Sequence, residues 1–398
     1  MTAPVAGHDL LERALAVRTI AGERFFEAEA ERIARLCHRM AERFARGGRL
    51  LALGRSPAAR SDARHVAVEF VHPVIVGKRA LPAIALTAEG GPLPAQVALV
   101  VEPDDMLIAF DAGEAETAAA LEPAGRRGSL TTAFAPGVAD WVFEPEGDEF
   151  VRQEIVETTY HVLWELVHVF FDHRGLLEGR RAGPLQDAGP SSFLYPFLGE
   201  QESDLEAVVQ DVRASVLMKA HETAGLRRQT VTENAGALAA AAAELRASLT
   251  AGGRLLALGN GGSATDAMDV VADFRTSLGG GPARAALDLT EDAAILTAIA
   301  NDIGPEAIFA RQVIAHGRPG DMLLALSTSG TSGSVIAALQ EARRRDVRTI
   351  AMVGYDGGRV AAERLADHVV ITRSEHIPRI QEAQATAYHL LRSLVEER

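Results

Sequence analysis

Two hydrophobic rhythms alternate along this chain. Stretches such as Ile33–Phe44 (IARLCHRMAERF) place apolar residues three and four apart, the spacing of one helix face. LLAL, at Leu50–Leu53 and again at Leu255–Leu258, is instead a short continuous apolar run followed by glycine. Such a run suits a strand buried on both faces of a sheet. Each half reads as helix, strand, turn and helix, then alternating strands and helices, and closes on a long helix. This alternation predicts an α/β fold: a parallel sheet between two helical layers.

The pattern is written twice. IARLCHRMAERFARGGRLLALG pairs with ALAAAAAELRASLTAGGRLLALG, an amphipathic helix stopped by Gly-Gly before a buried strand. PDDMLIAFDAGEAE, from Pro103, pairs with PGDMLLALSTSGTS, from Pro319; VRQEIVETTYHVL, from Val151, pairs with RIQEAQATAYHLL, from Arg379. Matched blocks in one order predict a tandem duplication, two three-layer α/β/α domains arranged as a pseudo-dimer. The boundaries expected are residues 1–174 and 205–398, with 175–204 as the connection, rich in Gly, Pro and Ser. Phe193, Tyr195 and Phe197 within the connection are expected to pack onto a domain.

Composition narrows the function. A chain of 398 residues suits two domains, each with its own core. A net charge of −14 argues against a nucleic-acid partner, whose phosphates call for clustered Lys and Arg. Cys37 is the single cysteine, so no disulfide framework and no cysteine metal site is expected. Its helical surroundings predict a small buried side chain. Without an N-terminal apolar segment or a membrane-length apolar run, the chain is expected to be soluble and cytoplasmic, with no membrane partner and no nucleotide cofactor.

Two loops in the C-terminal half carry chemistry. LLALGNGGSATDAM is a strand, a Gly-rich turn and a helix start, whose backbone N–H groups and dipole suit an anion. LLALSTSGTSGSVIAAL is again strand, turn and helix, with Ser327, Thr328, Ser329, Thr331 and Ser332 packed around Gly330. Hydroxyls at this density on a helix-opening turn point to a phosphate ester. GNGGSATDA, ANDIGPEAIF, LSTSGTS and RIQEAQATAYH together resemble the sugar isomerase (SIS) superfamily, and within it the phosphoheptose isomerases most. The resemblance implies phosphate binding by Asn260, Gly261, Gly262, Ser263, Ser327, Thr328, Ser329 and Ser332, with Asp302 in the same pocket. In the N-terminal half both loops are altered. GRSPAARS lacks the paired glycines, FDAGEAE puts Asp111, Glu114 and Glu116 where phosphate would sit, and the ANDIGPEAIF segment is missing. Carboxylates there would repel a phosphate dianion, so this half is expected to have lost phosphate binding.

The same resemblance implies an H-x-x-x-E on the helix after the first loop, and a Gln and a His eight residues apart on the last helix. These residues move protons and hold a divalent metal, usually zinc. Only the N-terminal half has the first pair, His65 and Glu69, at i and i+4 on one helix face; Asp269 and Asp273 stand at the matching positions. The second pair occurs twice, as Gln153 with His161 and Gln381 with His389. Helix rise suggests how they combine. Positions 269 and 273 lie roughly 9 and 15 Å along the helix from Ser263, and eight residues separate the Gln from the His by roughly 12 Å.

One competent composite site is therefore expected. It takes its phosphate loops, Asp302 and Gln381 from the C-terminal half, and His65, Glu69 and His161 from the N-terminal half. The reciprocal set is Gln153 with Asp269, Asp273 and His389. The reaction implied is aldose–ketose isomerisation of a sugar phosphate, by resemblance a heptulose 7-phosphate. Glu69 would act as base and His161 as proton carrier, while a metal on His65, Glu69, Gln381 and His161 polarises the carbonyl. A non-catalytic phosphosugar sensor or scaffold is the alternative, and an isomerase or lyase acting on a hexose or amino-sugar phosphate differs from the first reading only in substrate. By the family's habit, two chains would give a homodimer with four SIS domains.

Overall fold

The structure, a computed structural model, describes residues 7–74, 78–111, 113–172, 176–177, 204–278 and 280–397. It divides into two compact units: Ile20–His221, called the N-terminal unit, and Met1–Thr19 with Glu222–Arg398, called the C-terminal unit. Most of the expected connection 175–204, including Phe193, Tyr195 and Phe197, lies outside the described residues.

Each unit is built on a five-stranded parallel sheet. In the N-terminal unit the strands are β1 (Leu50–Leu53), β2 (Ala83–Leu86), β3 (Met106–Ala109), β4 (Leu130–Ala133) and β5 (Trp141–Val142), in the order β2-β1-β3-β4-β5. The C-terminal unit has β6 (Leu255–Leu258), β7 (Ala286–Asp288), β8 (Met322–Ser327), β9 (Arg348–Gly354) and β10 (His368–Thr372), in the order β10-β9-β8-β6-β7. Read from the other edge this is the same topology, so the repeat in sequence is a repeat of fold. The two LLAL runs are β1 and β6. Each lies between two parallel neighbours and is fully buried, the location a continuous apolar run requires.

The residues that both halves kept turn out to hold strand ends together. Arg49 donates its backbone N–H to Asp105 Oδ1 at 2.8 Å and its guanidinium to Asp105 Oδ2 at 2.6 Å. Arg254 repeats both bonds with Asp321, at 2.9 and 2.7 Å. The glycine that closes LLALG is equally constrained. A Cβ on Gly54 would lie 2.0 Å from the Ala59 carbonyl oxygen, and one on Gly259 would lie 2.2 Å from that of Ser263. Only glycine lets the strand end approach the next helix this closely.

Those next helices are α2 (Pro57–Val71) and α7 (Gly262–Arg275), and seven of the buried positions in each correspond. Ala59, Ser61, Asp62, Ala63, His65, Val66 and Phe70 are buried in the first; Ser263, Thr265, Asp266, Ala267, Asp269, Val270 and Phe274 in the second. The long helices that close the units are α5 (Glu149–Asp172) and α12 (Ile377–Glu396). Each unit also takes residues from a distant stretch of chain into its core. Leu11 and Leu15 of α1 (His8–Ala45) join the core of the C-terminal unit; Val208, Val209, Val212 and Val216 of α6 (Leu205–Thr250) join that of the N-terminal unit. Cys37 is free and fully buried, as expected. Among the described residues no helix is long and apolar enough to cross a membrane.

Candidate active-site clusters

The C-terminal unit brings its two phosphate loops together. The Gly-rich turn leads from β6 into α7, whose cap Gly261 has φ 58° and no side-chain cap. The serine loop leads from β8 into α10 (Gly333–Arg344), which likewise has no side-chain cap. The two loops meet at Asn260. Its Nδ2 donates to Ser332 Oγ at 2.9 Å and to Ser334 Oγ at 3.0 Å. Two helix N-termini with donors that no cap side chain satisfies are thus joined by one amide, an arrangement suited to an anion.

Within the serine loop, Gly330 donates its N–H to Ser327 Oγ at 3.1 Å, and Thr331 donates its hydroxyl to Ser329 Oγ at 3.0 Å. Gly330 has φ +62° and lies so close to the Gly357 carbonyl that a Cβ would stand 2.3 Å from it. The loop is therefore braced from below by the segment Gly354–Gly358. Gln384, on α12, reaches the Ser327 carbonyl at 3.5 Å. Gln381, one turn earlier, is buried in the same unit. Asp302 ends α8 (Ala293–Asp302), exposed, and accepts from Asn301 Nδ2 at 2.7 Å. Glu306, which the sequence reading did not single out, lies against the first residue of α10: a Cβ on Gly333 would be 3.2 Å from its carboxyl.

In the N-terminal unit the equivalent donors are already engaged. Asp111 Oδ2 accepts from the backbone N–H groups of Arg55 at 2.9 Å and Ser56 at 2.8 Å, at the entry to α2. Glu116 pairs with Arg55 at 2.8 Å and accepts from the Leu93 N–H at 2.9 Å. The expected loss of phosphate binding rested on repulsion alone. The structure adds that a carboxylate of the chain itself takes the donors an anion would use.

The acid–base residues assemble deeper in that unit. His65 and Glu69 on α2 and His161 on α5 are all buried. His65 Nε2 lies 3.3 Å from His161 Nε2 and 3.9 Å from Glu69 Oε1. The Tyr160 hydroxyl stands 2.9 Å from His65 Nδ1 and fixes the ring. Burial, and then the neighbouring His161, hold the His65 pKa well below the usual histidine range, so the ring is neutral at pH 7. A neutral ring held at one nitrogen presents the other as a donor. Two imidazoles and a carboxylate match a zinc-type donor set, and the 3.3 Å between the two Nε2 atoms agrees with the edge of a tetrahedron whose metal–nitrogen bonds are about 2.0–2.1 Å. These three residues fit a divalent cation.

The C-terminal unit has the counterpart cluster. Asp269 and Asp273 on α7 face His389 on α12, with His389 Nε2 at 3.5 Å from Asp269 Oδ2 and 3.6 Å from Asp273 Oδ2. Tyr388 donates its hydroxyl to Asp269 Oδ2 at 2.8 Å, as Tyr160 does its part for His65. Both tyrosines directly precede the helix histidine (TYH and AYH), the one sequence signal that could have marked them as supports.

Residues 220–354 match the SIS domain family. The phosphoheptose isomerase of Nitratidesulfovibrio vulgaris (strain DSM 19637 / Miyazaki F) is 40% identical over 190 residues, 48% of this chain and 90% of that protein. The phosphoheptose isomerase of Chlorobium phaeobacteroides (strain DSM 266 / SMG 266 / 2430) is 45% identical over 175 residues, 42% of this chain and 76% of that protein. Among solved structures, tagatose-6-phosphate ketose/aldose isomerase from Escherichia coli aligns with 100% of this chain and 95% of its own, with a TM-score of 0.57 at 15% identity. The last comparison shows that the whole chain has the tandem fold.

Proposed function

As a member of the phosphoheptose isomerase family of SIS-domain proteins, the chain is a sugar-phosphate isomerase, and we propose that its substrate is sedoheptulose 7-phosphate, converted to an aldoheptose 7-phosphate. The observation that carries the reading is complementary retention. The C-terminal unit keeps two uncapped helix N-termini bridged by Asn260, while the N-terminal unit keeps the buried His65, Glu69 and His161.

The roles divide accordingly. Asn260, Gly261, Gly262, Ser263, Ser327, Thr328, Ser329 and Ser332 bind the phosphoryl group through loop N–H and hydroxyl donors, with Asp302 assigned to the sugar. Glu69 takes the proton from the carbon beside the carbonyl and returns it to the neighbouring carbon; His161 moves the proton between the two oxygens. His65, Glu69 and His161 would hold a divalent cation, joined by Gln381 as fourth ligand, and the cation would supply polarisation of the substrate carbonyl. A phosphosugar sensor would need only the loops. It leaves the buried His65, Glu69 and His161 without a role, so the enzyme is the better reading. Two chains would form the four-domain assembly, which light scattering would show as twice the chain mass.

The test is a coupled isomerase assay on sedoheptulose 7-phosphate. Glu69→Gln should lower kcat at least ~1000-fold, the scale of losing a general base. Asp273→Asn should keep turnover within ~10-fold of the parent. Equal losses in both would overturn the division of roles, and no turnover by the parent protein on any sugar phosphate would overturn the enzyme.

A further inference from the structure

We propose that Glu306 is a specificity-determining residue of the phosphate site in the C-terminal unit: its carboxylate accepts a hydroxyl of the sugar chain beside the phosphoryl group, and so selects polyol phosphates over phosphate esters without hydroxyls. This role rests on the two loops being the phosphate-binding site.

The two loops meet where Asn260 Nδ2 donates to Ser332 Oγ at 2.9 Å, and Ser332 opens α10 without a side-chain cap bond. Glu306 lies in a short 3₁₀ turn, Pro305–Ala307, that packs on α10. A Cβ on Gly333, the first residue of α10, would stand 3.2 Å from the Glu306 carboxyl carbon and 3.2 Å from its Oε1. The carboxylate therefore borders the same helix N-terminus that the serine loop opens. Glu306 is exposed, and among the described residues it makes no hydrogen bond or ion pair.

A carboxylate in this place has two consequences. Its charge weakens the binding of any anion at the start of α10, because like charges repel. As an ionised group it only accepts hydrogen bonds, so a ligand offsets the repulsion only by bringing a donor. The hydroxyls of a sugar chain are such donors, and a simple alkyl phosphate has none on its carbon. A repulsive element that one ligand overcomes and another does not is a means of discrimination. The N-terminal unit shows the contrast. It lacks the segment that carries Glu306, and there Asp111 accepts directly from the backbone N–H groups of Arg55 and Ser56. Glu306 borders the donors of its own unit without engaging them. A favourable contact with the helix dipole would also suit a carboxylate here, but it would be indifferent to the hydroxyls of the ligand.

Calorimetry on the full-length protein compares two ligands that cannot isomerise: methyl phosphate, and a heptitol 7-phosphate made by reducing sedoheptulose 7-phosphate. Glu306→Ala should tighten methyl phosphate about 3-fold, since an exposed like charge is gone. It should weaken the heptitol phosphate about 10-fold, since a charged acceptor is lost. Glu306→Gln, which keeps an acceptor without the charge, should tighten methyl phosphate equally and weaken the heptitol phosphate less. Equal shifts for the two ligands in Glu306→Ala, or no shift for either, would overturn the role of Glu306 and leave the phosphate site standing. Loss of methyl phosphate binding in both variants would mark a structural residue and overturn the role as well. No binding of either ligand by the parent protein would overturn the phosphate site itself, and this role with it.

Discussion

The Asp111 carboxylate accepts the Ser56 backbone N–H at 2.8 Å, and the same oxygen accepts from Arg55 at 2.9 Å. In the C-terminal unit, α7 opens with no side-chain cap. The N-terminal unit therefore meets the backbone donors at this turn with a carboxylate of its own chain. Asp111→Ala should destabilise the protein by about 1–3 kcal/mol, since two N–H groups lose a charged acceptor. Urea unfolding would measure this, with KM for the sugar phosphate unchanged.

Asn260 is the bond between the two loops that open α7 and α10. Asn260→Ala removes it without touching either strand. KM for the phosphorylated substrate should rise about 10-fold, equivalent to about 1.4 kcal/mol, with a smaller change in kcat. Steady-state kinetics would check the split. A fall in kcat alone would place Asn260 outside phosphate binding.

His168 sets a pH dependence of stability. Burial, with a smaller contribution from Lys78, lowers its pKa to about 4. The unfolded chain's histidine titrates near pH 6.5, so above that pH both states are neutral and the full stability is present. Between pH 6.5 and 4 the unfolded chain binds the proton first, and stability falls as pH falls, by about 3 kcal/mol at most from this group. The lowered His65 acts in the same direction. His168→Gln should flatten the fall, read from unfolding midpoints across that range.

Cys37 is buried, and burial pushes its thiol well above the usual range. The native protein should react with a thiol reagent at pH 8 at least ~100-fold more slowly than the urea-unfolded chain, which should titrate as one thiol. Rapid native labelling would contradict the burial.

The duplication, the parallel α/β halves and the two strand–turn–helix loops of the C-terminal half were all legible in the sequence, because period and residue type carry that information locally. LLALG is an example: a strand buried on both faces needs an unbroken apolar run, and the close approach to Ala59 or Ser263 admits only glycine. The spacing of His65 and Glu69 was likewise readable, since i and i+4 must share a helix face.

What the sequence could not state was which groups answer one another across elements. Asn260 meeting Ser332 and Ser334, Asp111 turning back onto Arg55 and Ser56, and each tyrosine supporting a cluster on another helix all join residues distant in the chain. A hydrogen bond is directional and short, so only the packed sheet and helices decide whether its two ends meet. The same limit applied to Asp269 and Asp273. In the sequence they are a lost His and Glu; in the fold both carboxylates stand opposite His389, whose Nε2 lies 3.5 Å from Asp269 Oδ2 and 3.6 Å from Asp273 Oδ2.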